Sequence, residues 1–228
     1  MKKPLEIPAN GVILKGDLNV PEGPRGLIIF SHGSGSSRLS PRNRFVAGTL
    51  VANRFATLLF DLLTPEEDLD YEQRFDIELL TKRLIGVTRW IRRQPDYSKG
   101  DIGFFGASTG AASAIRAAAS IGPEIIKAVV SRGGRPDMAM NALTKVESPT
   151  LLLVGGLDTE VIKLNQQAYE AMHCSKELTV IPGASHLFEE PGKLEQVTHH
   201  ANKWFLKYLY ESQQDINKEP ESSTRPPT

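Results

Sequence analysis

Short, continuously apolar segments alternate with helical patterns along most of this chain, and this alternation limits the possible folds most strongly. The predicted strands are Val12–Val20, Leu27–Phe30, Ala56–Phe60, Ile102–Gly106, Ala128–Val130, Leu151–Val154 and Leu178–Ile181. The predicted helices are Phe45–Ala52, Ile77–Ile91, Thr109–Ser120, a segment from Glu160 to His173, and Leu194–Tyr208. Strands that are apolar on both faces and separated by helices predict an α/β fold. We expect a mostly parallel, twisted sheet with helices on both faces.

The length of the chain favours a single domain. It has 228 residues, and domains are most often about 100–200 residues long. The segment Glu211–Thr228 is polar and contains three prolines. Such a segment cannot bury enough apolar surface to offset the entropy lost on ordering. The sequence therefore predicts one domain over residues 1–210 and a disordered tail over residues 211–228.

Charge and cysteine content exclude several classes of protein. Lysine plus arginine and aspartate plus glutamate number 27 each, which gives no broad basic field for nucleic acid or anionic membrane. The apolar runs are too short to span a bilayer, and Met1–Glu6 leads into no signal-peptide core. The single cysteine, Cys174, excludes an internal disulfide. We expect a cytoplasmic protein with neither a nucleic-acid nor a membrane partner.

The strongest chemical signal is the pentapeptide Gly106-Ala107-Ser108-Thr109-Gly110. It follows a predicted strand and begins a predicted helix, which is the context in which G-x-S-x-G exposes a nucleophilic serine on a sharp turn. The glycines leave room for that turn, and the start of the helix directs free N–H groups towards the serine. Ser108 is therefore the predicted nucleophile.

A nucleophilic serine needs a base, and the base needs an acid that orients it. His186 lies in a loop directly after the last predicted strand, whereas the other histidines lie within or at the ends of helices or follow an early strand. Asp158 follows the Leu151–Val154 strand and is the predicted acid, although it is also placed to cap a helix. Asp137 is the alternative acid.

Two backbone amides are needed where negative charge develops on the substrate oxygen. Thr109, the residue after the nucleophile, is predicted to supply one. The glycine-rich segment His32-Gly33-Ser34-Gly35 follows an early strand and is predicted to supply the other. The Ser34 amide is preferred and Gly33 is the alternative, while His32 is predicted to order the loop by hydrogen bonding.

Four motifs in this order resemble the α/β hydrolases of the dienelactone-hydrolase-like superfamily. They are Ser31-His32-Gly33-Ser34-Gly35, Gly106-Ala107-Ser108-Thr109-Gly110, Gly155-Gly156-Leu157-Asp158 and Gly183-Ala184-Ser185-His186. The resemblance extends from Leu5 to about Tyr210 and implies the α/β-hydrolase fold. Dienelactone hydrolases carry cysteine as the nucleophile in this sharp turn, which is called the elbow. This chain has Ser108 there, which implies a serine esterase rather than a dienelactone hydrolase.

The spacing of the later strands limits the size of the site. Only Arg132–Pro149 separates two of them, which is too short for a large cap domain. An open site suits small soluble esters, lactones or thioesters. No metal-ligand cluster, G-x-G-x-x-G or phosphate-binding loop occurs, so we expect no cofactor and no metal. Acyl transfer or perhydrolysis on the same triad, or a non-catalytic binding role, remains an alternative.

Several arginines follow strands that should end near the nucleophile. Arg132 and Arg135 follow the strand Ala128–Val130, and Arg38, Arg42 and Arg44 follow the glycine-rich loop. The carboxyl ends of parallel strands face the ligand crevice, and guanidinium groups bind carboxylate or phosphate groups bidentately. These residues are candidates for binding an acidic substrate, and surface salt bridges are the alternative.

Overall fold

The computed structural model of the protein describes residues 2–97 and 100–211, in which eight strands form one sheet with helices on both faces. The strands are β1 (Lys2–Ala9), β2 (Val12–Asn19), β3 (Leu27–Ser31), β4 (Ala56–Phe60), β5 (Ile102–Ala107), β6 (Ile126–Arg132), β7 (Thr150–Gly155) and β8 (Lys176–Ile181). The helices are α1 (Pro41–Ala52), α2 (Ile77–Arg92), α3 (Thr109–Ile121), α4 (Met140–Leu143), α5 (Thr159–Ala171) and α6 (Lys193–Phe205). The predicted fold class is confirmed.

The order of the strands places one crevice at the centre of the sheet. The order is β1-β2-β4-β3-β5-β6-β7-β8, in which β3 to β8 run parallel while β1 and β2 pair antiparallel. The chain passes from β3 to β4 on one side and then crosses to β5 on the other. Ligand crevices of open α/β sheets lie at such a switch point, beyond the carboxyl ends of the strands. The loops after β3 and β5 meet there.

Two apolar layers hold the helices to the sheet. On one face, Val46 and Leu50 of α1 and Phe205 of α6 pack against Phe30 and Phe105. On the other face, α2 and α3 cover the alternate residues of the same strands. Because successive side chains of a strand point to opposite faces, continuously apolar strands serve both layers. This double burial explains why β3 to β7 carry almost no charge.

The first strand was not predicted from the sequence. β1 pairs with β2 through a turn at Asn10-Gly11, where both residues have positive φ angles of 51° and 82°. That conformation is typical of tight hairpin turns. Pro4 and Pro8 weaken the strand pattern, but proline is tolerated in an edge strand, and β1 lies at the edge of the sheet.

The predicted absence of a large cap is confirmed for the described residues. Between β6 and β7, residues 133–149 form only a 3₁₀ turn (Pro136–Ala139) and α4. The loop after β4, residues 61–76, is rich in aspartate and glutamate, and it contains two further 3₁₀ turns, Glu67–Leu69 and Gln73–Phe75. Arg83 of α2, which is largely buried, fixes this loop through Glu67.

At the carboxyl end, a π-helical turn over Leu206–Glu211 extends α6. The predicted disordered tail therefore lies, from residue 212 onwards, outside the described residues. Within the described part of the chain, no helix has the length and apolar character needed to cross a membrane.

Candidate active site

Ser108 occupies a strained turn between β5 and α3. Its φ of 52° and ψ of −121° lie in a region that residues other than glycine rarely adopt. Such a conformation costs of order 1–3 kcal/mol and persists only when its surroundings enforce it. The Ser108 amide donates to the Arg132 carbonyl at 3.2 Å, and its own carbonyl accepts from the amides of Ala111 at 3.0 Å and Arg135 at 3.2 Å. These bonds hold the elbow from both sides.

The two glycines of the motif are required by close backbone approach. A Cβ atom on Gly106 would lie 2.8 Å from the Ala111 nitrogen and 2.8 Å from the Gly110 carbonyl oxygen. A Cβ atom on Gly110 would lie 2.6 Å from the Ser31 carbonyl carbon. Only glycine fits at either position without moving the backbone, so the motif permits the sharp turn that carries Ser108.

Asp158 and His186 form a direct pair. His186 Nδ1 donates to Asp158 Oδ2 at 2.6 Å, across 28 residues of sequence. Asp158 lies at the N-cap of α5, but its side chain makes no capping hydrogen bond to that helix. Its carboxylate is therefore used to orient the imidazole, with Nε2 left available as an acceptor.

The loop that carries His186 packs against the segment that holds the elbow. A Cβ atom on Gly133 would lie 3.1 Å from the His186 carbonyl oxygen and 3.5 Å from its Cε1 atom. Gly133 directly follows Arg132, whose carbonyl accepts from the Ser108 amide. The imidazole and the serine thus contact neighbouring residues at the same edge of the sheet.

The alternative acid is occupied elsewhere. Asp137 accepts from Arg135 Nε at 2.8 Å and from Arg135 Nη2 at 2.7 Å. This fork-to-carboxylate geometry is a strong local ion pair. The structure therefore brings Asp158, and not Asp137, to His186.

The glycine-rich loop after β3 lies beside the nucleophile. A Cβ atom on Gly33 would lie 3.2 Å from Ser108 Cβ. The Ser34 amide donates to Thr109 Oγ1 at 2.9 Å, a contact that the sequence did not predict. Thr109 is the first residue of α3, so its own amide has no acceptor within the helix. Both predicted oxyanion donors thus lie next to Ser108, and the Ser34 amide is bound to a hydroxyl group.

His32 joins two loops at the switch point. Its Nδ1 donates to the Gly33 carbonyl at 2.9 Å, and its Nε2 accepts from the Leu62 amide at 3.0 Å. Burial lowers the pKa of His32, and the nearby Gly33 carbonyl and the carboxylates of Asp61 and Asp68 only partly offset this effect. A neutral imidazole suits both bonds, because Nε2 must accept. The predicted ordering role of His32 is confirmed.

The three candidate arginines differ in their partners. Arg38 donates to Asp61 through its amide at 2.8 Å and through Nη1 at 2.6 Å. Arg135 binds Asp137. Arg132 is buried and has no carboxylate partner among the described residues. The same residues include no group of three His, Cys, Asp or Glu side chains arranged to hold a metal ion.

Comparison with known proteins gives close matches at the level of sequence. The family model described as "Dienelactone hydrolase family" matches residues 39–212. Two proteins from strains of Mycobacterium tuberculosis, provisionally named phosphoribosyl transferase, are 55% identical over 206 residues. That match covers 90% of this chain and 46% of each relative. The chain thus spans about half the length of these curated relatives.

Solved structures match over almost the whole chain. The dienelactone hydrolase from Anabaena variabilis is 51% identical, with a TM-score of 0.89 over 92% of this chain and 98% of that one. An esterase from Pyrococcus furiosus has a TM-score of 0.77 at 20% identity and covers 92% of both chains, which shows a shared fold. Because the family model matches most of this chain, the chain belongs to the dienelactone hydrolase family.

Proposed function

We propose that the protein is a serine hydrolase that cleaves small esters, lactones or thioesters through an acyl-enzyme. The single observation that carries this proposal is the 2.6 Å hydrogen bond between His186 Nδ1 and Asp158 Oδ2, at the sheet edge where Ser108 occupies a strained elbow. The chain order Ser108, Asp158, His186 matches the order of α/β hydrolases.

In the proposed acylation, Ser108 Oγ attacks the carbonyl carbon and transfers its proton to His186 Nε2. The imidazolium then protonates the leaving alcohol, thiol or ring oxygen as the bond from carbon to that group breaks. Asp158 stabilises the imidazolium through Nδ1. In deacylation, His186 Nε2 removes a proton from water as the water oxygen attacks the acyl carbon. The imidazolium then returns a proton to Ser108 Oγ as the bond from the acyl carbon to Ser108 breaks, which releases the acid and free Ser108.

The Thr109 and Ser34 amides are proposed to bind the oxyanion. The Ser34 amide already has a partner in Thr109 Oγ1 at 2.9 Å. Hydrogen bonds to an anionic oxygen are roughly twice as strong as those between neutral groups. The developing oxyanion would therefore replace the Thr109 hydroxyl as the acceptor, and the amide is held in place until substrate arrives.

The short connection after β6 supports small substrates. Residues 133–149 supply only two short helical turns, so little apolar surface is present to bury a long acyl chain. Acyl transfer and perhydrolysis would use the same three residues and differ only in the acceptor. The name of the mycobacterial relatives suggests phosphoribosyl transfer, but those proteins are about twice as long as this chain.

A fluorophosphonate probe tests the proposal directly, because it labels only a serine activated by a base. We expect labelling of the wild-type protein, no labelling of Ser108→Ala, and loss of p-nitrophenyl acetate hydrolysis by several orders of magnitude in that variant. Ser113→Ala is the matched control, since Ser113 lies in the same helix and is fully buried. Labelling that persists in Ser108→Ala would refute the proposal.

The alternatives are tested on the same preparation. Adding alcohols or hydrogen peroxide as competing acceptors separates transfer and perhydrolysis from hydrolysis. A 5-phosphoribosyl pyrophosphate consumption assay covers the function suggested by the relatives' name. A wild-type protein that is folded, unlabelled and inactive on esters and lactones would instead indicate a binding role.

A further inference from the structure

Arg132 is an almost completely buried cation that pairs with no carboxylate of the described residues. It ends β6, and only 7% of the residue is exposed. Its Nε and Nη1 atoms are buried, and neither has a hydrogen-bond partner among the described residues. Arginines are almost never fully buried unless they are paired. Two N–H donors of this buried charge thus have no protein acceptor within the described part of the chain.

The burial of this charge has an energetic consequence. Desolvation lowers the pKa of Arg132 to about 10, and repulsion from Arg42 contributes to the shift. The group therefore remains protonated at neutral pH. An unpaired charge in a protein interior is strongly unfavourable, and a bound anion would offset much of that penalty. The site is consequently expected to attract an oxoanion.

Arg42 provides a second cationic group at the same place. It is the second residue of α1, and no acidic residue lies in the first turn of that helix. Arg42 Nη1 donates to Glu189 at 2.6 Å, while its Nε is buried without a partner. Glu189 is 61% exposed and is the single carboxylate paired with these two arginines in the described structure. The N-terminal dipole of α1 adds further positive potential.

The direction of the Arg132 side chain follows from strand geometry. Ala128 and Val130 point to the sheet face that α1 and α6 cover. Side chains two residues apart on a strand share a face, so Arg132 points to the same side, towards the start of α1. Its backbone carbonyl accepts from the Ser108 amide. The cationic pair thus lies beneath the catalytic edge, between the start of α1 and the loop of His186.

We propose that Arg132 and Arg42 form an oxoanion subsite, which receives a carboxylate or phosphate group carried by the substrate. The assignment of the anion to a substrate rests on the proposed hydrolase function, whereas anion binding itself does not. Arg38 and Arg135 are excluded from the subsite because each pairs with an aspartate and neither has a buried N–H donor without a partner among the described residues. Arg42 does have such a donor, its Nε, despite its pair with Glu189. Arg135 is therefore a matched control, three residues from Arg132 in the chain.

The first experiment measures binding without catalysis. Inorganic phosphate and fumarate are titrated into the protein by calorimetry at constant ionic strength. We expect either anion to bind, and Arg132→Gln to weaken that binding about tenfold to a hundredfold, the worth of hydrogen bonds to a charged group. Arg135→Gln should bind as the wild type does. Absence of binding to the wild type, or equal binding by Arg132→Gln, would overturn the subsite and leave water as the occupant.

The second experiment asks whether the anion belongs to the substrate. Monoethyl fumarate and monoethyl adipate are compared with their diethyl esters, with hydrolysis followed by proton release. The two acids place the carboxylate at different distances from the scissile carbonyl, and the rigid trans double bond prevents the fumarate from cyclising. We expect Arg132→Gln to raise KM at least tenfold for one half-ester and less than twofold for the diesters. Equal effects on both kinds of ester would overturn the substrate role.

The two proposals fail in different ways. If the wild type hydrolyses no ester, the proposed function fails, and the titration alone still decides whether the anion subsite exists. If Arg132→Gln does not fold, Arg42→Gln replaces it, because the Arg42 side chain is 32% exposed. Arg42→Gln should also weaken phosphate or fumarate binding, and unchanged binding in that variant would refute the pairing of the two arginines. If phosphate or fumarate binds but Arg132→Gln affects half-esters and diesters equally, the anion site stands and its role in substrate binding is overturned.

Discussion

The elbow depends on contact between backbones, and a single added methyl group should disrupt it. Gly110 is the second residue of α3 and packs against the end of β3. In Gly110→Ala, the new Cβ would lie 2.6 Å from the Ser31 carbonyl carbon and closer still to the Ser31 and His32 carbonyl oxygens. Ordinary contacts lie at 3.4–4 Å. The overlapping atoms belong to the backbone and cannot rotate away, so α3 and β3 must separate by roughly 1 Å.

The magnitude follows from what this separation strains. Overpacking of a core typically costs about 1–3 kcal/mol, and here it also strains the 2.8 Å bond between Ser31 Oγ and Ser113 Oγ. We expect Gly110→Ala to lower the free energy of unfolding by about 3 kcal/mol, the upper end of that range. A displacement of this size between Ser108 and the glycine-rich loop after β3 should lower kcat/KM about a hundredfold.

Urea unfolding and hydrolysis of p-nitrophenyl acetate measure the two effects. Gly48→Ala is the control, because Gly48 is an exposed glycine inside α1 and a Cβ there would have no neighbour within 4 Å. That variant should be more stable by about 0.5–1 kcal/mol and fully active. A Gly110→Ala protein as stable and as active as the wild type would show that the close approach of α3 to β3 does not occur.

Three further predictions concern the acid, the substrate and pH. Asp158→Asn should lower kcat by roughly 10⁴, whereas Asp137→Asn should change it little. Steady-state kinetics with the opposite result would identify Asp137 as the acid. Acetate and butyrate esters should be hydrolysed faster than esters longer than about eight carbons, because an open site buries few methylenes at ~0.8 kcal/mol each; a preference for palmitate in a chain-length series would contradict this. Burial lowers the pKa of His32 below its ordinary value of 6.5. Below about pH 6.5 the unfolded chain therefore binds more protons at this residue than the folded protein does, and the free energy of unfolding should decrease as the pH falls further. Urea midpoints between pH 7.5 and pH 5 should fall less in His32→Gln than in the wild type, and parallel profiles would argue against a buried neutral imidazole.

Much of the fold was predictable because its signals are local. The strand at Ala56–Phe60 has the predicted bounds, and α2 extends the predicted Ile77–Ile91 segment by one residue. Each of these signals is a run or a period within one element. β1 was missed because its prolines weaken the pattern, and the order of the strands was beyond reach, because no local pattern says that β5 lies on the opposite side of β3 from β4.

The same distinction applies to the candidate site. The positions of Ser108, Asp158 and His186 after β5, β7 and β8 were predictable, because parallel strands end at one edge. The Ser34 amide contact with the Thr109 hydroxyl joins residues 75 positions apart, and no property of either residue marks it. Long-range side-chain contacts of this kind depend on how helices and loops pack, which the sequence pattern does not specify.

The arginines show most clearly what the sequence leaves open. In the sequence, Arg38, Arg132 and Arg135 are equivalent cations that follow strands of the same sheet edge. Their surroundings differ because an aspartate pairs with Arg38 and another with Arg135, whereas Arg132 pairs with no carboxylate of the described residues and is repelled by the guanidinium of Arg42. The chain as a whole is neutral, with 27 basic and 27 acidic residues. A neutral chain can therefore still carry a local excess of positive charge. The buried charge of Arg132 beneath the catalytic edge can be recognised only from the structure, which shows which arginine each carboxylate binds.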